Sequence, residues 1–267
     1  MVVALPRLLL GVLAMNLVGC LVPKGSIPTY DLSVVAATQY NHRGMVQVDA
    51  DVVQGEMRVS LPTVDGGNLM LSTFGNLNLH DGIGDSWFPD GKSGKFTEVD
   101  LGLAYFRDLG PVAITGGVLA YVLPDGREFP NGIRGSTTEL FGNVEGELLG
   151  FVPSLTLHYD GDEVDGVYVE TGVRRPFELS DKLSADVAVN LGYSDKKQSD
   201  WNYGLDRAGL ADLRGELKVF YAWNDTTTFM AGIAGATILD DELRDWFDLL
   251  GIESDNLWGF IGVLWTF

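Results

Sequence analysis

The stretch Leu210–Trp223 reads LADLRGELKVFYAW and sets Asp212, Arg214, Glu216 and Lys218 at every second position. Leu213, Gly215, Leu217 and Val219 stand between or beside them. Successive residues of a β-strand point to opposite faces, so this spacing puts the charges on one face and the apolar side chains on the other. The separation recurs in Leu183–Ser194, where Asp186 and Asn190 oppose Val187, Val189 and Leu191. On other candidate strands the charged parity collects Glu56 and Arg58, Glu98 and Asp100, Glu139 and Glu145, and Glu170 and Arg174. Ser72, Asn76, Asn78, Asn143, Glu147, Ser154, Thr156 and His158 extend the same polar set. Carboxylates outnumber bases there. Such a face, enclosed, would raise the local concentration of cations and favour their passage. The Glu56/Arg58 and Glu170/Arg174 spacings also allow ion pairs that would knit an interior shut.

Other chemistries find little support. His42, His80 and His158 lie on separate loops or strands and share no metal-ligand spacing. No nucleophile–base pair stands out, and His158 is followed by Tyr159 and Asp160 rather than by a serine. The run Asp160–Gly166 resembles a calcium loop, but Val164 occupies its fifth position, so an acidic turn is the better reading. Neither catalysis, a metal nor a cofactor is expected. The formal charge of −19, from 18 bases and 37 acids, makes nucleic acid a poor partner. Cys20 is the single cysteine, which excludes intrachain disulfides.

Twelve segments pass the period-two test: 30–40, 53–61, 69–79, 96–106, 112–123, 138–147, 152–159, 167–174, 183–194, 210–223, 227–238 and 257–267. Alternation is weakest in 112–123, 227–238 and 257–267. Most are close to the 9–11 residues, roughly, that a tilted strand needs to cross a bilayer. Long and short connections nearly alternate, failing only at 160–166, as expected for a barrel with long outer loops and short periplasmic turns. Aromatic residues on the apolar parity form two belts: Tyr40, Tyr159 and Tyr193 at the outer ends, and Tyr30, Tyr105, Tyr221, Trp223, Trp265 and Phe267 at the inner ends. In the loop DDELRDWFDLLG, Asp240 can cap a helix, Leu243, Trp246, Phe247 and Leu250 recur at helical spacing, and Gly251 can end it. That helix would pack on the rim or fold into the mouth.

The ends add an address. Residues 1–19 read as a signal peptide, with Arg7 before an uncharged run too short to span a bilayer. Leu17-Val18-Gly19-Cys20 resembles a lipobox, which would make Cys20 a lipidation site and 20–29 a tether before a barrel at 30–267. The final NLWGFIGVLWTF directs Ile261, Val263, Trp265 and Phe267 to one face, resembling the closing strand by which the barrel assembly machinery recognises its clients.

At TQYNHRGMVQVDADVVQG the chain resembles the TorF family of porins, which carry a Tyr-x-x-Arg-Gly-apolar-x-Gln motif after the first strand. Tyr40, Arg43, Gly44, Met45 and Gln47 match it, while His42 stands where the family tends to have an aromatic. The resemblance implies an outer-membrane barrel with channel function. The expected protein is thus an all-β, 12-stranded antiparallel transmembrane barrel, embedded among outer-membrane lipids. It would pass small solutes or ions with a mild cation preference. Two alternatives stand beside it, a non-conducting surface barrel and an exported lipoprotein with a β-sandwich.

Overall fold

The computed structural model describes residues 21–80, 93–129 and 132–267; residues 1–19, expected to be a signal peptide, and Cys20 lie outside them. The wall begins with β1 (Thr29–Ala37), and the next two strands, β2 (Tyr40–His42) and β3 (Met45–Val48), form a small hairpin. The chain returns to the wall as β4 (Val52–Pro62), β5 (Asn68–Asn78), β6 (Phe96–Asp108) and β7 (Val112–Val122). A second small hairpin, β8 (Arg127–Phe129) and β9 (Gly132–Arg134), precedes β10 (Thr137–Gly146), β11 (Val152–Asp160), β12 (Gly166–Ser180) and β13 (Leu183–Ser194). Helix α1 (Lys196–Tyr203) leads to β14 (Gly209–Ala222) and β15 (Thr227–Ile238), and helix α2 (Asp241–Leu250) leads to β16 (Asp255–Thr266).

Twelve of these strands close into one barrel in the order β1-β16-β15-β14-β13-β12-β11-β10-β7-β6-β5-β4, every pair antiparallel. The seam joins the last strand to the first with Val34 opposite Val263 and Leu32 opposite Trp265. Beyond it, Tyr30 and Phe267 exchange both backbone hydrogen bonds, at 3.0 and 2.9 Å. No sheet edge remains at the closure, as a wall in hydrocarbon requires, since each unpaired amide there costs several kcal/mol. Among the described residues no helix is long and apolar enough to cross a membrane.

Outward residues on β14 (Leu213, Leu217, Val219, Tyr221) are exposed, while Arg214, Glu216 and Lys218 are half-buried inside. Connections at one end are short: 63–67, 109–111, 147–151, 181–182 and 223–226. At the other end they run long, at 38–51, 79–95, 123–136, 195–208 and 239–254, with 161–165 the exception.

Four local expectations are corrected. The first strand leaves the wall at Ala37, so Tyr40 is buried inside and takes no part in an outer aromatic belt. Strand β12 runs six residues past Arg174, through Pro176, to Ser180. Beyond Arg174, which pairs with Val152 at the start of β11, its only neighbour is β13, so the donor that proline lacks falls at an unpaired edge. On β14 the register shifts opposite Gly192/Tyr193, and Ala211 turns into the interior instead of outward. Glu147 falls in a short turn and is exposed.

Candidate functional site: a hairpin folded into the barrel

After Ala37 the chain makes a last tie to the wall, where Thr38 donates its N–H to the carbonyl of Gly259 at 3.0 Å. It then turns inward as the β2–β3 hairpin. His42 pairs with Met45, leaving Arg43 and Gly44 as a two-residue loop with φ of 50° and 80°. Positive φ at both positions is the turn that suits strand twist. A long side chain in that region costs about 1–2 kcal/mol, so Arg43 needs compensation.

Three contacts supply it. Arg43 Nη2 donates to both carboxylate oxygens of Glu139 at 2.8 Å. Its guanidinium lies 4.4 Å over the Tyr168 ring, and its carbonyl accepts from the Tyr203 hydroxyl at 2.9 Å. Gly44 sits so close to β14 that a Cβ there would lie 2.4 Å from Cβ of Asp212. The tip thus reaches β10, β12 and β14, none of which adjoins β1. Contacts to all three require the hairpin to cross the interior. Tyr40, Arg43, Met45, Gln47 and Val48 are all buried there.

Other elements of the long-loop end close around it. Arg127, at the start of β8, donates to Oε1 of Gln47 at 3.1 Å and lies over the Trp201 ring of α1. Arg134 on β9 pairs with Asp200 on α1 at 2.8 Å. Helix α1 starts at the Asp195 cap, whose side chain accepts from the N–H of Gln198, and ends at Gly204 in the left-handed conformation. Helix α2 is capped by Asp240 and Gly251, and buries Leu243 and Phe247 against Met45, Tyr203, Ala211 and Ile238. Trp246 Nε1 donates to the Tyr203 carbonyl at 3.1 Å.

The wall behind the tip is a continuous polar network. Tyr168 donates to Asp212 at 2.7 Å, Arg214 bonds Asp212 at 2.8 Å, and Arg214 also pairs with Glu170. His158 Nδ1 lies against Glu139, the same carboxylate that holds Arg43. The space left among His42, Arg43, Glu98, Tyr121 and Glu139 is about 20 Å³. A single water needs about 10–15 Å³ on that measure. The space beside the tip is therefore close to that of one water.

Toward the short turns the interior opens. Arg58 bonds Glu56 at 2.9 Å, Lys218 pairs with Glu216 at 2.8 Å, and Arg174 reaches Asp186 at 3.4 Å, all with substantial exposure. A cavity of about 360 Å³ lies among β4, β1, β16, β15 and β14.

Of the fourteen ionisable residues assigned to the charged parity, His158 aside, thirteen stand on the inward parity of their strands and Glu147 does not. Glu98, Asp100, Glu139 and Asp212 are buried around the hairpin, with Glu170 and Arg214 half-buried beside them. Glu56, Arg58, Glu145, Arg174, Asp186, Glu216 and Lys218 lie toward the short-turn end. One expected pair changes partner: Glu170 joins Arg214, and Arg174 joins Asp186.

Arg43 and Gln47 entered only through the family motif, with no role given them by alternation, and Tyr168, Tyr203 and α1 were missed. A signal for the hairpin was present, because Arg43-Gly44 is flanked by short β-prone runs. It is the Tyr40–Gln47 motif that builds the inserted element. Helix α1, KKQSDWNY, is too polar and short for periodicity to reveal.

No protein-family model matches the chain, and no curated protein matches it. Solved structures match over most of its length. The COG4313 outer-membrane channel from Pseudomonas putida F1 superposes with a TM-score of 0.54 at 8% identity, covering 92% of this chain and 96% of that one. The NanC porin superposes with a TM-score of 0.50 at 11% identity, covering 88% and 98%. At these identities the likeness concerns the fold. The chain is a closed twelve-stranded antiparallel β-barrel of the kind outer-membrane channels adopt.

Proposed function

We propose that this chain is an integral bacterial outer-membrane channel for small solutes, mildly cation-preferring, with the β2–β3 hairpin as its constriction. Long loops face outward, short turns face the periplasm, and the thirteen inward ionisable residues line the path. The observation that carries this reading is the contrast along the interior. An ionised, open vestibule leads up to one inserted element, and that element is tied to the far wall by side chains rather than built into the wall. Carboxylates outnumber bases along the path, which supports the sign of the preference. The motif shared with the TorF family falls on the hairpin itself, so the resemblance and the constriction point to one segment.

Planar-bilayer recording of the refolded protein tests this. Conductance with a reversal potential favouring cations is expected, and silence or an anion preference overturns it.

A second reading, a non-conducting surface barrel, is favoured by the roughly one-water space beside the tip. Neutralising Glu145 and Glu216 separates the two, because only a channel shifts its reversal potential. Cys20 is the proposed lipidation site, read as the loss of an acyl mass in Cys20→Ser. The β16 strand ending at Phe267 is the proposed signal to the barrel assembly machinery, read as slowed assembly in Phe267→Ala.

A further inference from the structure

The interior wall of the vestibule is two-sided. On β1, β16 and β15 the cavity lining is mainly apolar, with Val35, Ala37, Phe260, Leu264 and Met230 beside a single hydroxyl, Ser33. Trp258 and Phe220 extend this floor at its margins. Gly232 brings one ring close to the backbone, since a Cβ there would lie 2.4 Å from Cζ of Phe260. The upper part of the floor packs beneath Tyr40 and Val48 of the hairpin. Below that level the floor faces the 360 Å³ cavity. Apolar surface open to water is unfavourable, so the half-buried part of this floor that faces the cavity, Phe220, Met230, Trp258 and Leu264, is a ready surface for an apolar ligand.

The strands flanking the floor are charged. Glu56 stands on β4 and Glu216 on β14, both lining the cavity. Glu56 receives Arg58 through Oε1, and Glu216 meets Lys218 through Oε2. Each carboxylate thus keeps its second oxygen to accept from a ligand.

We propose that this cavity is a binding subsite for small amphipathic amines. A flat apolar body lies on Trp258 and Phe220, and the ammonium group donates to Glu56 or Glu216. The aromatic faces add cation–π attraction to the same end of the ligand. This assignment rests on the channel reading and names its solute class.

Titration calorimetry on the refolded barrel in detergent tests it with three probes: phenethylammonium, 3-phenylpropanoate and ethanolamine. The expected order is phenethylammonium tightest, about tenfold ahead of 3-phenylpropanoate, about 1.4 kcal/mol, with ethanolamine not saturating. Trp258→Ala should weaken phenethylammonium about tenfold, again about 1.4 kcal/mol. Trp258 also packs under the hairpin, so Phe220→Ser, at the far margin of the floor, serves as a second variant. The double variant Glu56→Gln with Glu216→Gln should erase the preference for the amine over the acid. Equal binding of the amine and the acid, or indifference to both aromatic variants, overturns the subsite. A barrel that binds phenethylammonium yet passes no current refutes the channel alone. One that conducts but does not discriminate refutes the subsite alone.

Discussion

The two halves of the interior use the same residue types for opposite ends. Around the hairpin tip, Arg43 and Glu139 are almost fully buried, with side-chain exposures of 6% and 2%. In the vestibule, Arg58 and Glu56 keep 47% and 42%. Both pairs meet at under 3 Å. Removing one partner of a buried pair costs about 3–5 kcal/mol, because the other charge stays dry and uncompensated. An exposed pair contributes about 0–1 kcal/mol. Burial, not the presence of an ion pair, makes the upper contact a latch and leaves the lower ones as a charged lining.

The hardest way to break this contrast is to evict the tip. Gly44→Val adds a side chain where even a Cβ meets Asp212, at a φ of 80° that a β-branched residue avoids. Bilayer recording should show a several-fold rise in conductance while heat-modifiable gel mobility shows the barrel intact. An unchanged conductance would mean that the hairpin does not limit flow.

Next in size is Glu139→Gln, which leaves Arg43 buried against a neutral partner. The latch should lose about 3–5 kcal/mol. Limited trypsin digestion reads this directly, since Arg43 in a released tip becomes a cleavage site. Continued resistance would show that Tyr168 and Tyr203 hold the tip by themselves.

Smaller effects belong to the vestibule. Glu216→Gln should alter stability by less than about 1 kcal/mol, yet move the reversal potential toward zero. Lys218→Gln should move it the other way. Matching shifts from both would indicate a change in shape rather than in charge.

The smallest concerns the turn at 63–67. Hydrogen bonds from Thr63 and Tyr105 hold the Asp65 carboxyl down, from an ordinary 3.8 to about 2. A group depressed in this way contributes fully above pH 3.8 and loses its contribution as pH falls through about 2. Carboxyl NMR should place its midpoint near 2, and Tyr105→Phe should raise it toward 3.8.

Much of this architecture was legible in the chain. Period two is a property of the local backbone, so strands such as 183–194 and 210–223 declared themselves. The cap residues Asp240 and Gly251 declared α2 for the same local reason. Where alternation weakened, the cause is now visible. Strands β15 and β16 carry apolar residues on both faces, because Met230, Phe260 and Leu264 line the inside while Ile233 and Ile261 cover the outside. Pro176 misled for a different reason, since its cost depends on whether a neighbour strand is present, which no local window contains.

The amino-acid sequence by itself determined a closed barrel, which side of each strand is greasy, and where the wall is sealed, because those follow from residues two apart and from the demand that no amide stay unpaired. Only the tertiary structure decided that the first long loop folds inward and is tied across the interior. That outcome depends on Arg43 finding Glu139, 96 residues away, and on Tyr203 finding the Arg43 carbonyl across 160. Partners so distant meet only after the wall has brought them within reach.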